Sequence, residues 1–194
     1  MNTRASLGLI TAVALLGIGS IALAPEVAQA ASKEAQRAEA RKVANQTLQR
    51  LYKLQPGAKQ AIQKSAGYAA FSNFGMKILV AGGGKGEGVA VNNKTKQETF
   101  MKMVEVQAGL GFGIKKFRLV WVFETPAAFD NFVSSGWELG AQATVAAQMS
   151  GQGAWAAGAM PISQGVWLYQ LTDDGLALEL TAKGTKYYKD DELN

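Results

Sequence analysis

Gly82-Gly83-Gly84-Lys85-Gly86-Glu87-Gly88-Val89-Ala90-Val91-Asn92-Asn93 decides the fold. Strand side chains alternate between faces, so glycine at every second position from Gly82 to Gly88 strips one face of a strand bare. Asn92-Asn93 then supplies a turn signal, and Gly109, Gly111 and Gly113 repeat the alternation downstream. A bare face has two uses. It admits a bulky ring from another element, with Trp121, Trp137, Trp155 and Trp167 as candidates, and lets the sheet bend; or it offers a strip against which an acyl chain or other apolar ligand lies. Phosphate loops do not fit. A Walker loop would need glycine at Leu79 and a hydroxyl residue at Gly86, and a dinucleotide fingerprint would need a following helix.

Outward from this stretch the periodicity is that of strands. Tyr68 to Phe74, Lys77 to Ala81, Gly86 to Val91, Glu98 to Gln107, Leu110 to Phe123, Ala141 to Met149, Gly153 to Met160, Val166 to Thr172 and Leu176 to Thr181 are apolar or alternating runs. Turn residues lie between most of them, including Asp173-Asp174-Gly175. Phe117 to Phe123, with Arg118 its only charge, reads as a central buried strand. One helix interrupts the series: Thr125 caps it, Pro126 occupies its first turn, Phe129, Phe132 and Val133 form its inner face, and Gly136 ends it. Short strands joined by tight turns predict an α+β domain with a strongly curved, largely antiparallel sheet, barrel-like or sandwich-like.

A basic helix precedes the sheet. Ala31 to Gln55 contains no glycine or proline and is rich in good helix formers, with Ser32 a candidate N-cap. Ala40, Val43, Ala44, Thr47, Leu51 and Leu54, flanked by Leu48, form one stripe; Pro56-Gly57 stops the helix, and a short second one follows from about Ala58 to Ser65. Residues 31–65 hold Lys33, Arg37, Arg41, Lys42, Arg50, Lys53, Lys59 and Lys64 against Glu34 and Glu39, while the rest of the chain beyond them is nearly neutral. The stripe packs on the domain's own sheet, or the helix meets an anionic membrane surface. At such a surface each Lys or Arg contributes on the order of 1 kcal/mol, and salt screens it.

The first thirty residues read as a targeting segment. Met1 to Arg4 is a short positive start, no charge occurs from Ala5 through Pro25, and Ala28-Gln29-Ala30 offers the small residues a signal peptidase accepts. Cleavage after Ala30 and a periplasmic or secreted destination are expected; retention as an uncleaved anchor is the alternative, since the run is 21 residues long and about 20 span a bilayer. The expected organisation is a signal peptide over 1–30, a helix over 31–55 and the domain proper over 56–194.

Composition narrows the chemistry. The 194 residues contain neither histidine nor cysteine, which removes disulfides, thiol nucleophiles, the usual general base and the commonest metal ligands. No metal or cofactor is expected. Glu87, between two glycines, is the most unusual acid, and a structural ion pair with Lys85 or Arg118 is its expected role. Asp173 and Asp174 belong to a turn, and Asp190, Asp191 and Glu192 to a solvated tail. Nucleic acid is a poor candidate, because the strands lack interleaved basic and aromatic residues.

Five stretches occur in a telling order: Ser65-Ala66-Gly67-Tyr68-Ala69-Ala70-Phe71, Gly86-Glu87-Gly88-Val89, Gly109-Leu110-Gly111-Phe112-Gly113, Leu119-Val120-Trp121-Val122-Phe123 with Phe129-Asp130-Asn131-Phe132, and Trp137-Glu138-Leu139-Gly140-Ala141-Gln142-Ala143. With the closing Gly184-Thr185-Lys186-Tyr187-Tyr188, this series resembles the SYLF lipid-binding domain from about Pro56 to Tyr188. The resemblance implies a membrane-associating domain. Eukaryotic members bind phosphoinositides with help from an N-terminal amphipathic helix, some yeast members bind actin, and bacterial members are mostly exported. Members often carry Arg and Tyr before the Gly-Glu-Gly, where this chain has Gly84 and Lys85, so the resemblance does not by itself imply a head-group contact from that loop.

The expected function is that of an exported, non-catalytic protein binding lipid or a membrane surface in the bacterial envelope. Arg37, Arg41, Lys42, Arg50 and Lys53 are assigned to anionic head groups, and Trp137 and Trp155 to the water–lipid interface. The alternative is an envelope structural or protein-interaction domain without specific lipid binding. A hydrolase with paired carboxylates is the third reading, and no two acids are singled out for it.

Overall fold

The computed structural model describes residues 25–78, 81–108, 113–139, 158–177 and 184–194. Most of the leading apolar run, Trp155, Gly109, Gly111 and the expected strands over 141–149 and most of 153–160 lie outside them. Helices α1 (Pro25–Leu54) and α2 (Gly57–Lys64) lead into strands β1 (Gly67–Ile78), β2 (Ala81–Asn92), β3 (Glu98–Ala108) and β4 (Gly113–Phe123). Helix α3 (Pro126–Ser135) follows, then β5 (Trp137–Leu139), β6 (Met160–Ser163), β7 (Val166–Thr172), β8 (Gly175–Ala177) and β9 (Thr185–Lys189). The sheet runs β5-β9-β3-β2-β1-β4-β7-β6, with β8 paired to β7 off this path. Every described pairing is antiparallel. The sheet curls into a half-barrel, so the expected α+β class and strong curvature are both found.

Alternation along the strands builds two apolar layers. On one face Phe71, Leu119, Trp121 and Phe123 pack with Phe129 and Phe132 of α3 and with Tyr187 of β9. The neighbours in sequence, Ala70, Val120 and Val122, point the other way, joining Ala40, Ala44, Leu48 and Leu51 of α1 and Ala58 and Ile62 of α2. The stripe on α1 is thus spent on the sheet, with Thr47 buried among its members. Leu54 departs from the expectation: it ends α1 and is 42% exposed, because the chain turns at Pro56 before the sheet can cover it.

Several boundaries differ from the sequence reading. Helix α1 already begins at Pro25, where the ring's fixed φ suits a first helical turn. Ser32 therefore lies inside the helix and caps nothing; its hydroxyl accepts from Gln36 Nε2 at 3.4 Å. The runs expected at Tyr68–Phe74 and Lys77–Ala81 straddle a single strand, since Gly75 continues the ladder opposite Gly84. β9 was not predicted as a strand; its short Thr-Lys-Tyr-Tyr-Lys segment is extended by pairing with β3. Helix α3 follows expectation: Thr125 Oγ1 accepts from the Ala128 amide at 3.2 Å, and Gly136 leaves the helix at φ 69°, a conformation that favours glycine.

The bare glycine face is filled by neighbouring strands. A Cβ on Gly88 would collide with the Phe71 ring and lie 2.6 Å from the Ala70 carbonyl oxygen; one on Gly86 would lie 2.6 Å from Met103 Cγ and from Ser72 O. The tryptophans proposed for this role go elsewhere: Trp121 and Trp137 to the aromatic layer, Trp167 to the α1 side. Phe71 has no other space, since Phe132 and Tyr187 press on it at ring-centroid distances of 6.3 and 5.1 Å. Gly88→Ala is expected to cost about 1–3 kcal/mol, as overpacking a full core does, measured by denaturant unfolding. A loss below about 0.5 kcal/mol, typical of surface changes, would contradict this packing.

Candidate functional site

The basic residues of α1 divide into anchored and free. Arg41 Nε donates to Glu98 Oε2 at 2.7 Å and Nη1 to Glu34 Oε1 at 2.9 Å, with the guanidinium 5.2 Å from the Phe100 ring centroid. Arg37 Nε donates to the Leu193 carbonyl at 2.7 Å, and Nη1 reaches Glu34 Oε2 at 3.3 Å. Arg50 Nη2 donates to the carbonyls of Thr172 (2.6 Å) and Asp173 (3.0 Å). These three arginines fasten α1 to β3, to the C-terminal segment and to the end of β7. Lys42 is exposed and meets Glu39 at 3.0 Å. Lys53 is exposed and forms no ion pair among the described residues.

Trp137, half-buried, packs with ring centroids 5.0 Å from Trp121 and 6.0 Å from Phe132. Trp155 lies outside the described residues. Of the described residues assigned from sequence, Lys42, Arg50 and Lys53 line one open groove along α1, whereas Trp137 packs on the opposite face of the sheet.

A cationic end of the molecule gathers around other residues. Asn93 Nδ2 donates to the carbonyls of Ile62 (2.6 Å) and Ser65 (3.0 Å), tying the β2–β3 turn to the end of α2. Asn92 Oδ1 holds the turn from within by accepting from the amides of Lys94 and Thr95, each at 3.0 Å. This brings Lys94 and Lys96 of the turn beside Lys64. All three are exposed, as is Lys59 one turn back along α2, and none forms an ion pair among the described residues. Of the carboxylates nearest this end, Glu98 is held by Arg41 and Glu124 by Trp167 Nε1 at 2.9 Å.

A second feature lies between α1 and the sheet. The pairing registers align Tyr188, Lys102, Glu87, Ser72, Arg118 and Leu171 in one row across β9, β3, β2, β1, β4 and β7. The row floors a cleft of about 700 Å³, walled on one side by Glu39, Ala40, Val43 and Arg50 of α1. Lys102 Nζ is committed to Asp190 Oδ1 at 2.9 Å and lies 3.5 Å from Glu192 Oε2; the hydrogen bond to Asp190 raises the ammonium above its ordinary pKa. Asp190 is therefore no solvated tail residue, its side chain being only 4% exposed. Glu87 has neither of its expected partners: it, Lys85 and Arg118 form no ion pair among the described residues. Glu87 and Arg118 lie on either side of β1, about 10 Å apart at the usual strand spacing, and form no direct pair. The signals for this cleft were present in sequence as the single charge within Phe117–Phe123 and the acid between two glycines.

Among the described residues, no group of three or more acids could hold a metal ion, and no helix is long and apolar enough to cross a membrane. The described residues thus form a curled sheet with a docked basic helix, a lysine-rich end and a polar cleft. Residues 104–194 match a family model, Ysc84, described as Las17-binding protein actin regulator. Beta cell expansion factor A of Aeromonas veronii is 35% identical over 151 residues, covering 78% of this chain and 56% of that protein. The chain belongs to the SYLF (Ysc84) family, a lipid-binding domain family rather than a known enzyme family. It spans little more than half the length of this curated relative.

The ion pairs among Glu34, Arg37 and Arg41 within α1 are pH-dependent. Hydrogen bonds from Arg41 and then Arg37 hold the Glu34 carboxyl below its ordinary value of 4.5. A depressed carboxylate pKa contributes stability above its unfolded value and loses it as pH falls through the folded one. Hydrogen-exchange protection over Glu34–Arg41 should therefore decline below about pH 4.5. Glu34→Gln should remove that decline; a variant with the same profile would rule out the Glu34 pairings as its source.

Proposed function

We propose that this protein is an exported, non-catalytic domain that holds anionic membrane surfaces of a bacterial envelope through its lysine-rich end. The observation that carries the reading is that Lys64, Lys94 and Lys96 stand together in solvent without carboxylate partners, with Lys53 and Lys59 exposed on the adjoining helices. Family membership supports the lipid class of partner. The apolar face of α1 is already buried, so contact is peripheral and electrostatic rather than by insertion of that face. Lys53 adds a further exposed cation at the end of α1, while Lys42 is paired with Glu39. Arg37, Arg41 and Arg50 act chiefly by holding the helix in place, and can reach a head group only through their remaining exposure. Export rests on the leading apolar run and its Ala28-Gln29-Ala30.

Exchanging Lys64, Lys94 and Lys96 for Gln should weaken binding to anionic vesicles by about 3 kcal/mol, on the order of a hundredfold, at about 1 kcal/mol per cation. Binding of the parent should fall steeply with salt. Cosedimentation at graded salt measures both; equal binding to neutral vesicles at high salt would overturn the reading. A protein-interaction role is the second reading, favoured by the Las17-binding description of the family model. It predicts that the triple Gln variant keeps its partner.

A further inference from the structure

The cleft beneath α1 carries charge that the domain does not use. Of its cations, Lys102 is neutralised by Asp190, and Arg50 is held by the carbonyls of Thr172 and Asp173, with the Asp173 and Glu39 carboxylates also lining the cleft. Arg118 is half-buried on the sheet floor with no carboxylate partner among the described residues. A guanidinium withdrawn from water without a counter-charge is costly. Its planar fork matches a phosphate or carboxylate in two-point contact. On the far side of Ser72, one strand away in each direction, Glu87 is an equally unpaired acid in the same row. The floor thus offers an anion-binding group and a cation- or donor-binding group about 10 Å apart at the backbone, within reach of each other's ligands by their long side chains, with a hydroxyl between them.

We infer that this cleft is a binding site for a phosphate ester that also bears an ammonium or hydroxyl group, the phosphate on Arg118 and the donor on Glu87. Ser72 Oγ serves both ends, since a hydroxyl can donate to phosphate and accept from ammonium. Volume agrees: about 700 Å³ lies within the range of ordinary small-ligand sites. Such chemistry occurs in a phospholipid head group and in a free phosphate ester alike. The site is separate from the lysine-rich end, so its existence does not rest on peripheral membrane binding.

Titration calorimetry of the full domain with glycerophosphoethanolamine tests it, with inorganic phosphate as the simpler probe. Saturable binding of the diester is expected, weakened at least tenfold by Arg118→Gln. Glu87→Gln should weaken the diester and leave inorganic phosphate unchanged. Near-ultraviolet dichroism checks that the variants fold; should Arg118→Gln fail to fold, Arg118→Lys keeps the charge, loses the fork, and should still weaken binding. No saturable binding by the parent, or folded Arg118 variants that bind as the parent does, would overturn the inference. Vesicles containing phosphatidylethanolamine then separate the sources: competition with the soluble diester assigns the site to lipid, and its absence assigns it to the free ester. The triple Gln variant at Lys64, Lys94 and Lys96 should keep diester binding while losing anionic vesicles, so either reading can fail alone.

Discussion

The burial of the α1 stripe against the curled sheet is the constraint on which the rest of the structure depends. Ala40, Ala44, Leu48 and Leu51 form one layer with Ala70, Val120, Val122, Tyr169 and Leu171. Leu51 is fully buried, and truncating a buried leucine to alanine costs about 2–5 kcal/mol. A helix that contributes so much to its own domain has no apolar face left for a bilayer. What it presents outward is polar, and its remaining influence on other molecules is electrostatic.

The same docking decides which charges are available. The arginines of α1 reach sideways to Glu98, Leu193, Thr172 and Asp173, and their length and fork geometry suit such fastening. Lysines, shorter in donor reach and better hydrated, remain in solvent at Lys53, Lys59, Lys64, Lys94 and Lys96. Helix docking also roofs the charged row across β3, β2, β1 and β4, turning what would be an open polar stripe into a cleft. The described arginines of α1 are thus fastened to the domain, while these lysines stay exposed.

Much of the fold was legible in the sequence. The α3 boundaries followed from Thr125, Pro126 and Gly136, and β7 from a largely apolar run between turn residues, because these signals are local. The alternating glycines marked a strand needing close approach, but could not say what approaches. Phe71 and Met103 fill the space through the β1–β2–β3 register, and register is a property of pairing, not of any one strand. β9 escaped prediction because its extended form comes from β3. For the candidate site the limit was geometric. The count of positive charges in residues 31–65 was correct, yet whether a given arginine meets a carboxylate depends on Glu98 and the C-terminal segment, far away in sequence. Likewise Lys94 and Lys96 join Lys64 only because Asn93 bonds to the end of α2.

The central claim is that α1 stays on the sheet when the protein meets a membrane. Hydrogen exchange at the amides of Ala40 to Leu51, recorded with the protein free and bound to anionic vesicles, tests this most directly. The account predicts the same protection in both states, with changes confined to the end formed by α2 and the β2–β3 turn. Loss of sheet-side protection at Ala70 and Val120, with α1 amides newly shielded by lipid, would mean that the helix leaves the domain and inserts, and would contradict it.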